Sequence, residues 1–141
     1  MIIKNFIKAA RLRTLPLSIS GIILGGFLAM SDGLFNGVIF SLALITTIGF
    51  QVISNFANDY GDGVKGTDAI RIGEERMVSS GKISPKQMKK AIMISVILTI
   101  IFALFLIYES FGLSNFGYSV LFFILGIVSV VAAIKYTVGN L

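Results

Sequence analysis

Three observations make this chain an all-α, multi-spanning transmembrane helical bundle. The 141 residues are 55% hydrophobic and only 13% charged, with a mean hydropathy of +0.91, which is too apolar for a water-soluble domain. The apolar residues fall into four runs of membrane-crossing length, separated by polar segments. All 12 Lys and Arg lie in the N-terminus, in the segment between the second and third runs, or at the end of the fourth. With four spans those places share one side of the bilayer, and the two remaining loops carry no cation. By the positive-inside rule the basic side is cytoplasmic, so the sequence predicts an integral protein of the cytoplasmic membrane with its N-terminus inside. Topology accounts for the net charge of +5, and no nucleic-acid partner is implied. The chain has no Cys and no His, which excludes disulfides, thiolate or imidazole metal sites and Cys or His nucleophiles.

Residues 1–13 alternate apolar and basic side chains: Ile2, Ile3, Phe6, Ile7 and Ala10 against Lys4, Lys8, Arg11 and Arg13. That spacing predicts an amphipathic helix in the interface, apolar side in the lipid bilayer and basic side toward headgroups. A signal peptide is not expected, because no small-residue cleavage pattern follows and further spans do. The first span covers about 14–30, with Pro16 in the first turn and Thr14 placed as a cap. Gly21 and Gly25 form a GxxxG pair, with Ser18, Ser20 and Gly26 nearby. This pattern predicts close helix approach, or alternatively a substrate groove. A turn at 31–36 containing Asp32 and Gly33 leads into a second span, about 37–58. A cytoplasmic loop of about 59–90 follows. Inside it Ser84-Pro85-Lys86-Gln87 has the form of a helix start, with Ser84 as N-cap, Pro85 first and Gln87 three residues on. A third span covers about 91–108, a short loop 109–117, and a fourth span about 118–134, before Lys135. Residues 1–141 thus read as part of one membrane domain.

The second span ends in Asn55-Phe-Ala-Asn-Asp-Tyr-Gly-Asp-Gly-Val-Lys-Gly-Thr-Asp68, which holds three of the seven acidic residues. On a helix Asn55, Asp59 and Asp62 fall at i, i+4 and i+7, on one face with Asn58 at its edge. Gly61, Gly63 and Gly66 loosen the backbone so that Asp68 can fold back toward them. A plainer reading is that these polar residues meet water and the glycines stop the helix. Against it, a helix C-terminus disfavours carboxylates. Membrane-embedded carboxylates also cost roughly 2.5–3.5 kcal/mol each at a span's centre, and less toward its end. A hard divalent cation such as Mg2+ offsets both penalties, takes oxygen ligands and commonly shares a substrate's phosphates. Lys65, Arg71, Arg76 and Lys82 follow, able to hold phosphate oxygens or to serve only as topology signals. Ser79-Ser80-Gly81, between Arg76 and Lys82, is a turn able to offer backbone N–H groups to an anion.

At these residues the chain resembles the UbiA-type intramembrane prenyltransferases. NFANDYGDGVKGTD is similar to their first aspartate-rich motif, ERMVSSGKIS to the segment after it, and ARLRTLPLSISGIILGG to their opening. The likeness is greatest to the branch that prenylates 1,4-dihydroxy-2-naphthoate. It implies transfer of a polyprenyl group from a polyprenyl diphosphate to that acceptor, with loss of the acceptor's carboxylate, giving demethylmenaquinone in menaquinone biosynthesis. It implies Mg2+, shared with the diphosphate, at the residues matching Asn55, Asp59, Asp62 and Asp68. Residues matching Arg76, Lys65 and Lys82 would hold the diphosphate, with Asp59, Asp62 and Arg76 catalytic. Departure of pyrophosphate leaves an allylic carbocation, for which the faces of Phe50, Phe56 or Tyr60 are candidate stabilisers if they are not simply packing. Family members have about nine spans and a second acidic motif. Four spans are expected here, and Glu74 and Glu75 lie too close to the first motif to replace the second. The expectation is an N-terminal portion of such an enzyme, inactive alone. Two alternatives stay open: the same family with 4-hydroxybenzoate or a porphyrin as acceptor, and a non-catalytic cation-binding membrane module.

Overall fold

A computed structural model describes residues 2–65, 75–112 and 115–138. All regular structure among them is helical: α1 (Ile2–Ala10), a 3-10 turn (Leu12–Thr14), α2 (Leu15–Ser31), α3 (Gly37–Lys65), α4 (Pro85–Phe111) and α5 (Phe116–Val138). The stretches Ile2–Ser31, Gly37–Lys65 and Pro85–Phe111 are long and apolar enough to cross a membrane, and Phe116–Ala132 is a shorter apolar helix. The all-helical bundle is therefore as the sequence predicts. Its hub is α3, which touches each of the other four helices.

Local chemistry sets the helix ends. The Asn36 side-chain oxygen accepts from the N–H groups of Val38 (2.9 Å) and Ile39 (3.2 Å), capping α3. At α4 the predicted capping box forms: Ser84 Oγ accepts from Gln87 N, and Gln87 Oε1 accepts from Ser84 N. Between α2 and α3 the chain reverses through Gly33 at φ 71°, a left-handed conformation that costs glycine little. Arg11 adopts the same region, at φ 49°, and separates α1 from the 3-10 turn.

Several elements depart from expectation. Helix α3 carries the acidic motif beyond the predicted span, and the glycines of the plainer reading do not stop it: it runs through Gly61 and Gly63 to Lys65. The reason is contact: a Cβ at Gly63 would lie 2.5 Å from Val78 Cγ1 and 3.1 Å from Ser79 N, so this glycine admits the 76–80 segment against the helix. Thr14 makes no capping bond; its hydroxyl turns toward α3 instead. Gly21 and Gly25 face open space among the described residues. The close approaches lie at Gly26, against the Phe40 ring, and at Gly49, against Thr99 of α4. Ala10, expected on the lipid side of α1, is buried against the protein with Ala9, while Ile2, Ile3 and Ile7 are exposed.

The core sits at one end of the bundle. Ala9, Ala10, Phe56, Met77, Val78, Ile83 and Met88 form it, with Phe6 and Tyr60 packed against them. Phe6 meets Phe56 edge-on, ring centroids 6.1 Å apart. Away from that end the helices present large apolar side chains outward, such as Leu24, Phe27, Met93, Ile97 and Phe105. A helix apolar on its outer surface is stable only in a non-aqueous surround.

Candidate functional site

The buried end of the bundle is where the acidic motif lies. Helical spacing puts Asn55, Asp59 and Asp62 on one side of α3, as the sequence predicts. Each side chain, however, reaches a different part of the protein.

Asn55, 5% exposed, donates through Nδ2 to the carbonyl of Ala10 (2.8 Å) and to Thr14 Oγ1 (3.0 Å). The Ala10 acceptor dictates that the amide nitrogen points there. Asn55 Oδ1 accepts from Gln51 Nε2 at 3.4 Å, and the same Nε2 donates to Thr14 Oγ1 at 3.1 Å. Thr14 in turn donates to the Arg11 carbonyl. Asn55 thus ties α3 to the junction of α1 and α2. Thr14 serves here rather than as the cap the sequence predicts, and Gln51 is a partner the sequence reading misses, although a Gln one turn before Asn55 in an otherwise apolar run is a signal.

Asp59, 1% exposed, accepts two backbone N–H bonds: Met77 N to Oδ2 at 3.0 Å and Val78 N to Oδ1 at 2.8 Å. No side-chain pattern announces partners of this kind. Asp62 is 28% exposed and pairs with Arg76, whose Nη2 lies 2.5 Å from its Oδ2; Arg76 itself is only 6% exposed. Asp59 therefore takes the backbone of the 76–80 segment and Asp62 takes its arginine.

The remaining predicted residues disperse. Lys65 ends α3 and is exposed. Lys82 donates to Glu75 at 2.5 Å, and that contact holds the Glu75 carboxyl below its ordinary value of 4.5. Asn5 donates to the Lys82 carbonyl, joining α1 to this segment. Phe56 belongs to the core, and Tyr60 packs on it. Phe50 lines an apolar cavity of about 430 Å³ between α3, α4 and α5, together with Thr46, Ile107 and Phe122. Asp68, with Gly66, Arg71 and Glu74, lies outside the described residues.

The donor chemistry fits a hard cation. Asn55, Asp59 and Asp62 offer oxygen only, and a carboxylate that accepts two N–H bonds keeps further lone pairs, about four sites in all. Among the described residues no three acidic side chains gather at one point, so these three supply a partial set. The Arg76 guanidinium beside Asp62 adds the positive charge and the forked donors that suit phosphate oxygens.

Comparison with known proteins identifies the family. The family model described as "UbiA prenyltransferase family" matches residues 19–140. A 1,4-dihydroxy-2-naphthoate octaprenyltransferase of Escherichia coli (strain K12) is 44% identical over 137 residues, covering 96% of this chain and 44% of the relative. Its namesake in Haemophilus influenzae is 43% identical over 143 residues, covering 97% of this chain and 45% of the relative. One from Mycobacterium tuberculosis is 34% identical over 96 residues, covering 67% and 32%. The chain thus spans less than half the length of the curated relatives it matches. No solved structure matches it.

Proposed function

The chain belongs to the UbiA prenyltransferase family, and on that premise we propose that it serves transfer of a polyprenyl group from a polyprenyl diphosphate to 1,4-dihydroxy-2-naphthoate, in menaquinone biosynthesis. It is an integral membrane protein. The basic ends of its helices face the cytoplasm in this reading, where a diphosphate headgroup has access. The observation that carries the proposal is the Asp62–Arg76 pair beside buried Asp59, at the rim of a bundle whose outer surface is apolar.

Asn55, Asp59, Asp62 and Asp68 are the residues that would hold Mg2+. When bound there, the ion supplies charge neutralisation for a departing diphosphate. Arg76 would hold phosphate oxygens by paired N–H donation, and Lys65 and Lys82 would add positive charge at the rim. Lys82 must exchange Glu75 for phosphate to do so; both are half exposed, so the exchange is cheap. The buried surroundings of Asp59 and Arg76 strengthen these charges by excluding water. Apolar side chains along α3, α4 and α5 accept the prenyl tail.

A chimera tests this reading. Residues 1–141 replace the matching segment of the Escherichia coli relative, and membranes are assayed for prenylation of the naphthoate. Turnover is expected, reduced about 100-fold or more by Asp62→Ala. An inserted chimera whose turnover is indifferent to Asp62→Ala refutes the assignment.

A further inference from the structure

We infer that Asp59 is a positioning residue for Arg76: by accepting the backbone N–H groups of Met77 and Val78, its carboxylate fixes the segment that carries Arg76 to Asp62. The inference rests on the proposed phosphate contact of Arg76 and deepens it.

The geometry is that of a two-point clamp. Each oxygen of Asp59 takes a different amide, at 3.0 and 2.8 Å, which fixes the orientation of the intervening peptide as well as its distance. Arg76 immediately precedes that peptide and reaches Asp62, three residues further along the same helix. Helix α3 therefore grips the segment at two levels, backbone and side chain. Gly63 supplies a third constraint, since its missing side chain leaves the room that Val78 occupies. Met77 and Val78 are themselves buried, so the clamped peptide is shielded from competing water. Electrostatics alone explains none of this. A buried carboxylate near a buried guanidinium gains most by taking it directly, yet Asp59 spends its oxygens on neutral amides and leaves Arg76 to Asp62. The clamp requires no cation, and the remaining lone pairs of Asp59 do not conflict with one.

The test uses the whole chain in lipid nanodiscs with a chelator present. Asp59→Asn keeps the size but leaves one acceptor oxygen and places an NH2 group against a backbone donor. Amide hydrogen exchange is followed at Met77 and Val78, and Arg76 accessibility by phenylglyoxal modification. Asp59→Asn is expected to raise exchange at those two amides about tenfold or more, confined to residues 75–81, and to hasten modification of Arg76. Asp62→Asn weakens the ion pair with Arg76 but leaves both amides protected. Gly63→Ala, which changes no charge, gives the Asp59→Asn pattern in weaker form. Unchanged protection in Asp59→Asn overturns the inference. So does a rise that spreads into Met88–Thr99 of α4, because Asp59 would then hold the bundle as a whole. Binding of inorganic pyrophosphate to the same samples separates the inference from the reading beneath it. Removing a negative charge should by itself raise affinity, whereas displacing Arg76 should lower it. If Arg76→Gln leaves pyrophosphate binding unchanged, the phosphate role falls and the exchange result judges the clamp alone. If Arg76→Gln weakens binding and Asp59→Asn strengthens it, the clamp is overturned.

Discussion

Asn55→Asp separates two roles that the wild-type residue combines. As a cation ligand through its side-chain oxygen, Asn55 should tolerate Asp well. As a tie to α1 it should not. The substitution removes the Nδ2 donor that serves the Ala10 carbonyl at 2.8 Å and Thr14 Oγ1 at 3.0 Å. It sets a carboxylate oxygen against a buried carbonyl instead. Thr14 Oγ1 still accepts from Gln51 Nε2, so the Ala10 carbonyl is the buried acceptor left without this donor, and undocking of α1 becomes easier by about 1–3 kcal/mol. At 1.4 kcal/mol per factor of ten, that is roughly a 5- to 140-fold larger population of the undocked state. Lys4, Lys8, Arg11 and Arg13 make this measurable, since trypsin cuts after each once the segment is released. When reclosing outpaces cleavage, the rate follows that population. The assay is trypsin digestion in nanodiscs, with N-terminal fragments resolved by mass. Asn55→Asp cleaved at the wild-type rate refutes the tie.

Other expectations concern packing, charge and pH. A Cβ at Gly49 would run into Thr99 Oγ1 and lie 3.0 Å from Thr99 Cγ2, a clash that rotating Thr99 does not clear because it exchanges one of these atoms for the other. Gly49→Ala should therefore destabilise by about 1–3 kcal/mol from overpacking, less the roughly 1 kcal/mol that Ala gains over Gly in a helix. In a Thr99→Ala background the same change should be neutral or stabilising, and equal thermal shifts in both backgrounds would contradict the contact. Arg76→Met removes the Arg76–Asp62 ion pair and should cost about 1.5–3 kcal/mol. Adding Asp62→Leu should recover stability without recovering prenyl transfer, measured by denaturation and by the chimera assay. The Glu75 carboxyl is lowered by its hydrogen bond from Lys82, so the pair's small contribution is full above pH 4.5 and lost as pH falls through the depressed value. Lys82→Gln should move the Glu75 carbon-13 titration upward, and an unmoved titration would dissolve the pair.

The fold was legible where side-chain chemistry is local. Apolar runs of sufficient length marked the helices, and Ser84 with Gln87 marked the start of α4 because both halves of the box lie three residues apart. The site was legible only in part. Helical periodicity placed Asn55, Asp59 and Asp62 on one side of α3, but what each would touch depends on segments distant in sequence. The partners of Asp59 are two backbone amides, which every residue but proline carries, so nothing in Met77 or Val78 advertises them. Glycines misled for the same reason. Gly63 looks like a helix stop until Val78 is seen against it, and Gly21 looks like a packing seam until it is found facing outward. A missing side chain records room for a neighbour without saying which neighbour.

The bond from Asn55 to Ala10 spans 45 residues, and this sets an order of events during synthesis. The first helix emerges long before its anchor exists. At about 5–20 residues per second, a few seconds pass before Asn55 follows it out of the ribosome. Until then the Ala10 carbonyl lacks this donor and turns to water, which confines the nascent segment to the bilayer's wet margin. Locking of the N-terminus thus waits for the far end of the third helix.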